Sequence, residues 1–208
     1  WQPYISPDCS KLEDWKKDRF QTLYNDFFFH RHNEFWRINA EKKLPELLGA
    51  TGMLACGEDL GMVPECVQEV MEHEKILSLE MSMMEKGRPW PYLSVCATSS
   101  HDMETLRMQK ANAGNGKDPA PEECMETLKA HLTSASMLAI FPLQDWLAMD
   151  GKLRRKDFMS ERINQPADPD NKWRYRMHLT LETLLSKNAA ELNAAIAGLL
   201  KESSRFIQ

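Results

Sequence analysis

The sequence predicts an α/β domain built from about four parallel strand-helix units. Short apolar segments alternate with longer segments whose apolar residues recur every three or four positions. Four of the short segments suit strands, at residues 53–56, 76–81, 93–97 and 137–141. Because helical segments occur between the later strands, the four strands are expected to run parallel in one sheet.

Local signals justify the individual elements. A first helix is expected over residues 11–48, where apolar side chains recur at helical spacing until Gly49. Residues 53–56 are apolar throughout and lie between Gly52 and Gly57, which suits a strand buried on both faces. Further helices are predicted over residues 64–73, 103–110, 121–133 and 189–203.

Composition and charge narrow the classes of function. The chain has 208 residues with 42% hydrophobic side chains, so it can bury a sizeable core. Its net charge is −5, and no stripe of Lys and Arg is interleaved with aromatic residues, which argues against a nucleic-acid partner. No apolar run approaches the roughly 20 residues of a membrane helix, and the first residues do not resemble a signal peptide. We expect neither a membrane segment nor a nucleic-acid site.

The five cysteines indicate reduced thiols and a cytoplasmic protein. They are an odd number at wide spacings, without a CxxC motif or a Cys/His pattern that could hold zinc. Cys56, Cys66 and Cys96 lie among apolar neighbours, where a free thiol behaves as a small buried hydrophobic side chain. No metal and no cofactor is expected.

Two acidic segments follow strand candidates, at the edge of a parallel sheet where binding sites form. Glu58 and Asp59 come directly after the first strand, and His101 and Asp102 follow the third. Cleavage of a glycosidic bond needs one carboxylic acid to protonate the leaving oxygen and other carboxylates to stabilise or attack the sugar. Glu58 and Asp102 are therefore the catalytic candidates, and Asp59 is a candidate for substrate binding.

Three other interpretations stay open on this pattern. Asp102 could instead cap the helix predicted at 103–110. A metal-assisted hydrolase would use His101, Asp102 and Glu58 as ligands, and metal analysis would reveal it. A non-catalytic carbohydrate-binding or assembly module would rely on aromatic residues such as Trp90 and Trp146, and its glucan affinity would survive Glu58→Gln.

Four separated motifs, in order, resemble the 4-alpha-glucanotransferase family, which includes amylomaltase and the disproportionating enzymes. The resemblance covers nearly the whole chain from Asp26 onward. The motifs are CGEDLGMVP at 56–64, SHDMETLR at 100–107, FPLQDWL at 141–147, and ERIN at 161–164 followed by WRYR at 173–176.

The resemblance implies half of a (β/α)8 barrel, in which the four predicted strands are the fifth to the eighth, with flanking helices. It implies that Glu58 is the general acid/base, that Asp102 stabilises the distorted sugar and the transition state, and that His101 contacts the same sugar. The substrates would be maltose, maltodextrin or another α-glucan. Residues 1–10 resemble the end of an insertion that precedes this region in the long, maltose-utilising type of the family.

The family's nucleophilic Asp follows the fourth strand, upstream of the present sequence. A retaining transferase needs that nucleophile about 5–5.5 Å from the acid/base. The resemblance therefore implies that these 208 residues, a C-terminal part of the catalytic barrel, are inactive alone. The open edges of a half-barrel would favour a homodimer that covers them.

Overall fold

A computed structural model describes residues 11–61, 63–84 and 86–205 of the chain. The chain divides into two compact units, Trp1–Leu79 and Glu80–Gln208. Each unit is considered by itself below. The predicted end of an upstream insertion, residues 1–10, lies outside the described residues.

The first unit begins with a long helical segment, as predicted for residues 11–48. It comprises α1 (Asp14–Asn25), a π-helical turn (Asp26–Arg31) and α2 (His32–Gly49). No side chain within these three elements is buried, although several are large and apolar. The most exposed of these are Trp15, Phe35 and Leu47, each with at least 60% of its surface accessible.

Helix α3 (Glu65–Glu74) provides the buried side chains of the helices in this unit. Its apolar face carries Cys66, Val70 and Met71, all of which are buried. The Cys66 N–H donates to Asn33 Oδ1 at 2.9 Å, so a side chain of α2 satisfies an amide in the first turn of α3. The helix predicted at 64–73 is confirmed.

The segment 53–56 differs from the prediction of a strand buried on both faces. It forms only an isolated parallel bridge between Cys56 and Leu77, with two backbone hydrogen bonds of 2.8 and 2.9 Å on either side of Cys56. Met53 and Leu54 are 76% and 62% exposed. Cys56 is exposed as well, so the expectation that it is a buried thiol is wrong. Among the described residues this segment pairs on one side only, and one neighbour cannot bury both faces.

Three short strands form the sheet, β1 (Ser78–Glu80), β2 (Ser94–Cys96) and β3 (Leu138–Ala139), in the order β1-β2-β3. The boundary between the two units falls within β1. Strands β2 and β3 are parallel, with Val95 opposite Leu138. The α/β class is thus confirmed. In the described residues the sheet has three strands, and an isolated bridge at Cys56 takes the place of the fourth predicted strand.

The helices of the second unit enclose its core. They are α4 (Leu106–Ala113), α5 (Pro121–Leu132), α6 (Leu143–Leu147), α7 (Leu181–Leu185) and α8 (Ala190–Glu202), with 3-10 turns at Phe158–Glu161 and Lys187–Ala189. One buried cluster joins Leu128 of α5, Phe141 and Leu199 of α8. A second joins Leu147 of α6 to Leu192. These clusters fix the scaffold that carries the loops described next.

Two further sequence expectations concern thiols and membranes. Cys66, Cys96 and Cys124 are free and buried. Burial raises the pKa of the Cys124 thiol to about 11, which leaves it protonated and unreactive near neutral pH. None of the helices in the described part of the chain combines the length and the apolarity that a bilayer-spanning segment needs.

Candidate active site

In the first unit, Glu58 is exposed and Asp59 is buried. The Asp59 carboxylate accepts the backbone N–H of Leu79 at 2.9 Å, which anchors the segment after the Cys56 bridge. Because successive side chains of an extended segment point to opposite sides, anchoring Asp59 inward leaves Glu58 facing outward. Asp59 retains only 6% exposure, so little of its surface is free for a ligand.

In the second unit, Asp145 ties together the chain segments that follow β2 and β3. Its Oδ2 accepts the hydroxyls of Thr98 and Ser99, each at 2.6 Å, and its Oδ1 accepts the Leu106 N–H at 3.0 Å. Burial raises the pKa of the Asp145 carboxyl, and the hydrogen bonds from Ser99, Thr98 and Leu106 oppose that shift. This buried carboxylate fixes where the loop after β2 turns outward.

Asp102 does not cap the helix that follows it. Helix α4 begins at Leu106, with Thr105 as its N-terminal flanking residue, rather than at Met103. The Leu106 amide is satisfied by Asp145 instead. The capping interpretation of Asp102 is therefore wrong, and its carboxylate is left for other contacts.

Two side chains contact the half-exposed Asp102 carboxylate, and two more side chains contact those two in turn. His101 Nε2 lies 3.1 Å from Asp102 Oδ2, and the Asn164 side-chain amide donates to Oδ1 at 2.7 Å. Asn171 in turn donates to the Asn164 side-chain oxygen at 2.5 Å. The Trp173 ring lies beside His101, with 5.5 Å between ring centroids, and is 62% exposed. The result is an accessible group of a carboxylate, an imidazole and an indole.

Hydrogen bonds and ion pairs connect residues 161–164, the segment that carries Asn164, to the segment that carries Asp102. Glu161 accepts the Thr105 hydroxyl at 3.3 Å and also pairs with the Arg107 guanidinium. Arg162 pairs with Glu104 at 3.2 Å. Burial raises the pKa of the Glu161 carboxyl, and the charge of Arg107 opposes that shift. These contacts hold two segments that are more than 50 residues apart in sequence side by side.

Arg107 lies at the centre of this network of ion pairs and hydrogen bonds, and it has no exposed surface. Its Nε and Nη2 donate to the two oxygens of Asp118 at 2.9 and 2.5 Å. Its Nη1 donates to Glu161 and, at 2.8 Å, to the Arg155 carbonyl oxygen. One planar guanidinium therefore joins three separate chain segments.

Trp90 and Trp146, the aromatic residues named for the alternative of a carbohydrate-binding module, pack against other rings of the second unit. Trp90 and Trp146 are partly buried and pack against His131 and Phe141, with ring centroids 5.1 Å apart in each pair. The exposed indole beside the candidate site is Trp173, whose place the sequence pattern does not reveal. Asn164 and Asn171 were likewise missed, because amides in irregular segments carry no periodic signal; the ERIN motif was the available clue.

No cluster of three or more His, Cys, Asp or Glu side chains in the described residues is arranged to hold a metal ion. The alternative of a metal-assisted hydrolase, with His101, Asp102 and Glu58 as ligands, therefore has no such cluster behind it in the part of the chain that the structure describes.

Comparison with known proteins identifies the family. A family model described as 4-alpha-glucanotransferase matches residues 6–181, which include Glu58, Asp102 and Asn164. The chain belongs to the 4-alpha-glucanotransferase family. A rice (Oryza sativa subsp. japonica) relative, 4-alpha-glucanotransferase DPE2, is 37% identical over 93% of this chain and 23% of its own length. The 4-alpha-glucanotransferase of Chlamydia pneumoniae is 30% identical over 68% of this chain and 31% of its own.

A solved structure supports the fold. An amylomaltase from Streptococcus agalactiae, in complex with acarbose, superimposes with a TM-score of 0.52 at 17% identity. The match covers 72% of this chain and 31% of that one. The chain thus spans between about a quarter and a third of the length of these glucanotransferases.

Proposed function

We propose that the chain is part of a 4-alpha-glucanotransferase that transfers α-1,4-glucan segments between maltose or maltodextrin donors and acceptors. The observation that carries the proposal is the accessible Asp102 carboxylate with His101 and Trp173 beside it, in a chain of this family. A carboxylate and an imidazole can bind sugar hydroxyls, and an aromatic ring offers an apolar face to a pyranose.

The roles follow the chemistry of retaining transfer. Glu58 is the proposed general acid/base, since it is an exposed carboxyl group held outward by the buried Asp59. Asp102 is proposed to hold the hydroxyls of the donor glucose and to stabilise the positive charge of the transition state, with His101 on the same sugar. Asp59 stays proposed as a substrate ligand, although its main observed contact is the Leu79 amide.

Glu58→Gln in the full-length protein tests the assignment. Disproportionation of maltotriose should lose at least about 100-fold in kcat, because general acid catalysis contributes about 10²–10⁴-fold. The melting temperature should stay unchanged, since Glu58 is exposed. Glu65→Gln, which alters an exposed carboxylate in the same unit, is the matched control and should keep kcat within about twofold. A Glu58→Gln protein with more than a tenth of the wild-type kcat would contradict the role.

We also propose that the chain forms strands five to eight of a (β/α)8 barrel in a cytoplasmic enzyme. The parallel pairing of β2 with β3 and the parallel bridge at Cys56 are consistent with this arrangement. On this proposal the 208 residues alone are inactive, because the nucleophile lies elsewhere, and they self-associate as a homodimer through exposed apolar side chains. Maltotriose turnover by the chain alone, or a stable monomer by light scattering, would contradict these two statements.

A further inference from the structure

Asn164 contacts the proposed catalytic carboxylate directly, and its orientation is determined. Its amide nitrogen donates to Asp102 Oδ1 at 2.7 Å. An ionised carboxylate can only accept hydrogen bonds, so the NH₂ group of Asn164, and not its oxygen, must face Asp102. The Asn164 oxygen then faces Asn171, whose amide donates to it at 2.5 Å.

Asn164 is also held rigidly in place. Asn164 is 8% exposed, and its backbone carbonyl oxygen accepts a hydrogen bond from Arg162 Nε at 2.9 Å. Arg162 itself pairs with Glu104, two residues beyond Asp102. Arg162 therefore links Asn164 to the chain segment 102–104, which also carries the acceptor, Asp102.

Asp102, by contrast, is half-exposed, and a half-exposed side chain would otherwise sample several rotamers. Asn164 engages Oδ1 and His101 engages Oδ2, so rotation of the carboxylate is restricted at both oxygens. The remaining lone pairs are then presented in one orientation to a ligand in the open half of the site. Such preorganisation matters because a misplacement of about 1 Å can cost about 100-fold in rate.

We infer that Asn164 is a positioning residue that orients Asp102 for glucan transfer; this rests on the proposed function. Asn164→Ala in the full-length protein should lower kcat for maltotriose disproportionation by about 10- to 100-fold and change KM less than threefold. Asn193→Ala is the control, because it removes an amide that donates to the Leu184 carbonyl oxygen; kcat should stay within twofold.

Asn164→Asp separates positioning from packing. It keeps the shape of the side chain and an acceptor for Asn171, but near pH 7 it removes the donor and places a second negative charge beside Asp102. The inference predicts a kcat below that of Asn164→Ala at pH 7. As the pH falls towards 5, a proton shared by the two adjacent carboxyl groups restores a donor, so the activity of the variant relative to wild type should rise. His101, which faces the other oxygen of Asp102 at 3.1 Å, is present in both proteins, and the comparison is therefore made as a ratio at each pH.

The outcomes separate cleanly. If Asn164 only fills space, the isosteric Asp variant should outperform the Ala variant, and its relative activity should not depend on pH; either result overturns the inference while wild type stays active. If Asn164→Ala does not fold, the pH profile of Asn164→Asp decides. A full-length wild-type protein without disproportionation activity overturns the proposed function, and this inference with it.

Discussion

Replacement of Arg107 by Lys tests how much the buried ion-pair network next to the candidate site contributes to stability. The Arg107 guanidinium has no exposed surface and donates to Asp118, to Glu161 and to the Arg155 carbonyl oxygen. A lysine ammonium is a compact charge, so it cannot reach carboxylates on two sides at once. We expect Glu161, which is 2% exposed, to lose its charged partner in the variant.

The expected cost follows from burial. Removal of one partner from a buried ion pair costs about 3–5 kcal/mol. Lysine keeps the charge and one of the contacts, so we expect about 2–3 kcal/mol for Arg107→Lys. Arg37 provides the matched comparison, because it also pairs with two carboxylates, Glu34 and Glu41, but its side chain is 35% exposed on α2. Arg37→Lys should cost much less than Arg107→Lys, because solvent-exposed ion pairs contribute little to stability.

Urea unfolding followed by tryptophan fluorescence measures both variants in the full-length protein. With a slope of about 2–3 kcal/mol per molar urea for the unfolding transition of this part of the protein, Arg107→Lys should lower the midpoint of that transition by about 1 M. The Arg37→Lys midpoint should shift only slightly. Equal midpoint shifts for the two variants would refute the reasoning that burial, and not the number of paired carboxylates, sets the cost.

Two further predictions concern buried polar groups of the second unit. Asp145→Ala should destabilise by about 3 kcal/mol or more, because it removes the acceptor of two hydroxyls and one amide. Asp102→Ala should cost about half as much, because this half-exposed carboxylate accepts one buried amide, that of Asn164; urea midpoints compare the two variants. His131 donates from Nδ1 to the Thr127 carbonyl oxygen, its buried Nε2 has no partner among the described residues, and burial lowers its pKa. As the pH falls below about 6.5, His131 binds a proton in the unfolded chain but not in the folded chain. The free energy of unfolding should therefore decrease over that range. The melting temperature of His131→Phe should lose that part of the pH dependence; an unchanged profile would contradict it.

The periodicity of the sequence was sufficient to predict most elements. Helices α3, α5 and α8 lie within one or two residues of the predicted ranges, because amphipathic spacing is a local property. The position of Glu58 and Asp102 after strand candidates was also readable, since it depends only on where an apolar run ends. The family resemblance rested on motifs alone and is confirmed by the family match over residues 6–181.

Burial depends on neighbours, and here the sequence was misleading at 53–56. An apolar run becomes a buried strand only where neighbouring strands pair with both of its edges and other elements cover both of its faces. In the described structure, residues 53–56 pair only with Leu77, on one edge. The exposure of Cys56 follows from the same fact. A local pattern cannot report which segments from elsewhere in the chain arrive to cover it.

The sequence by itself determined the element types, the candidate carboxylates and the family. Only the tertiary structure decided which polar side chains meet. Asp145 holds Thr98 and Ser99 across more than 40 residues of chain, and Asn164 reaches Asp102 across 62. Contacts at such separations leave no periodic trace in the sequence, because each partner is locally an ordinary loop residue. The pairing of β2 with β3 and the contacts of Glu161 with Thr105 and Arg107 bring those loops together.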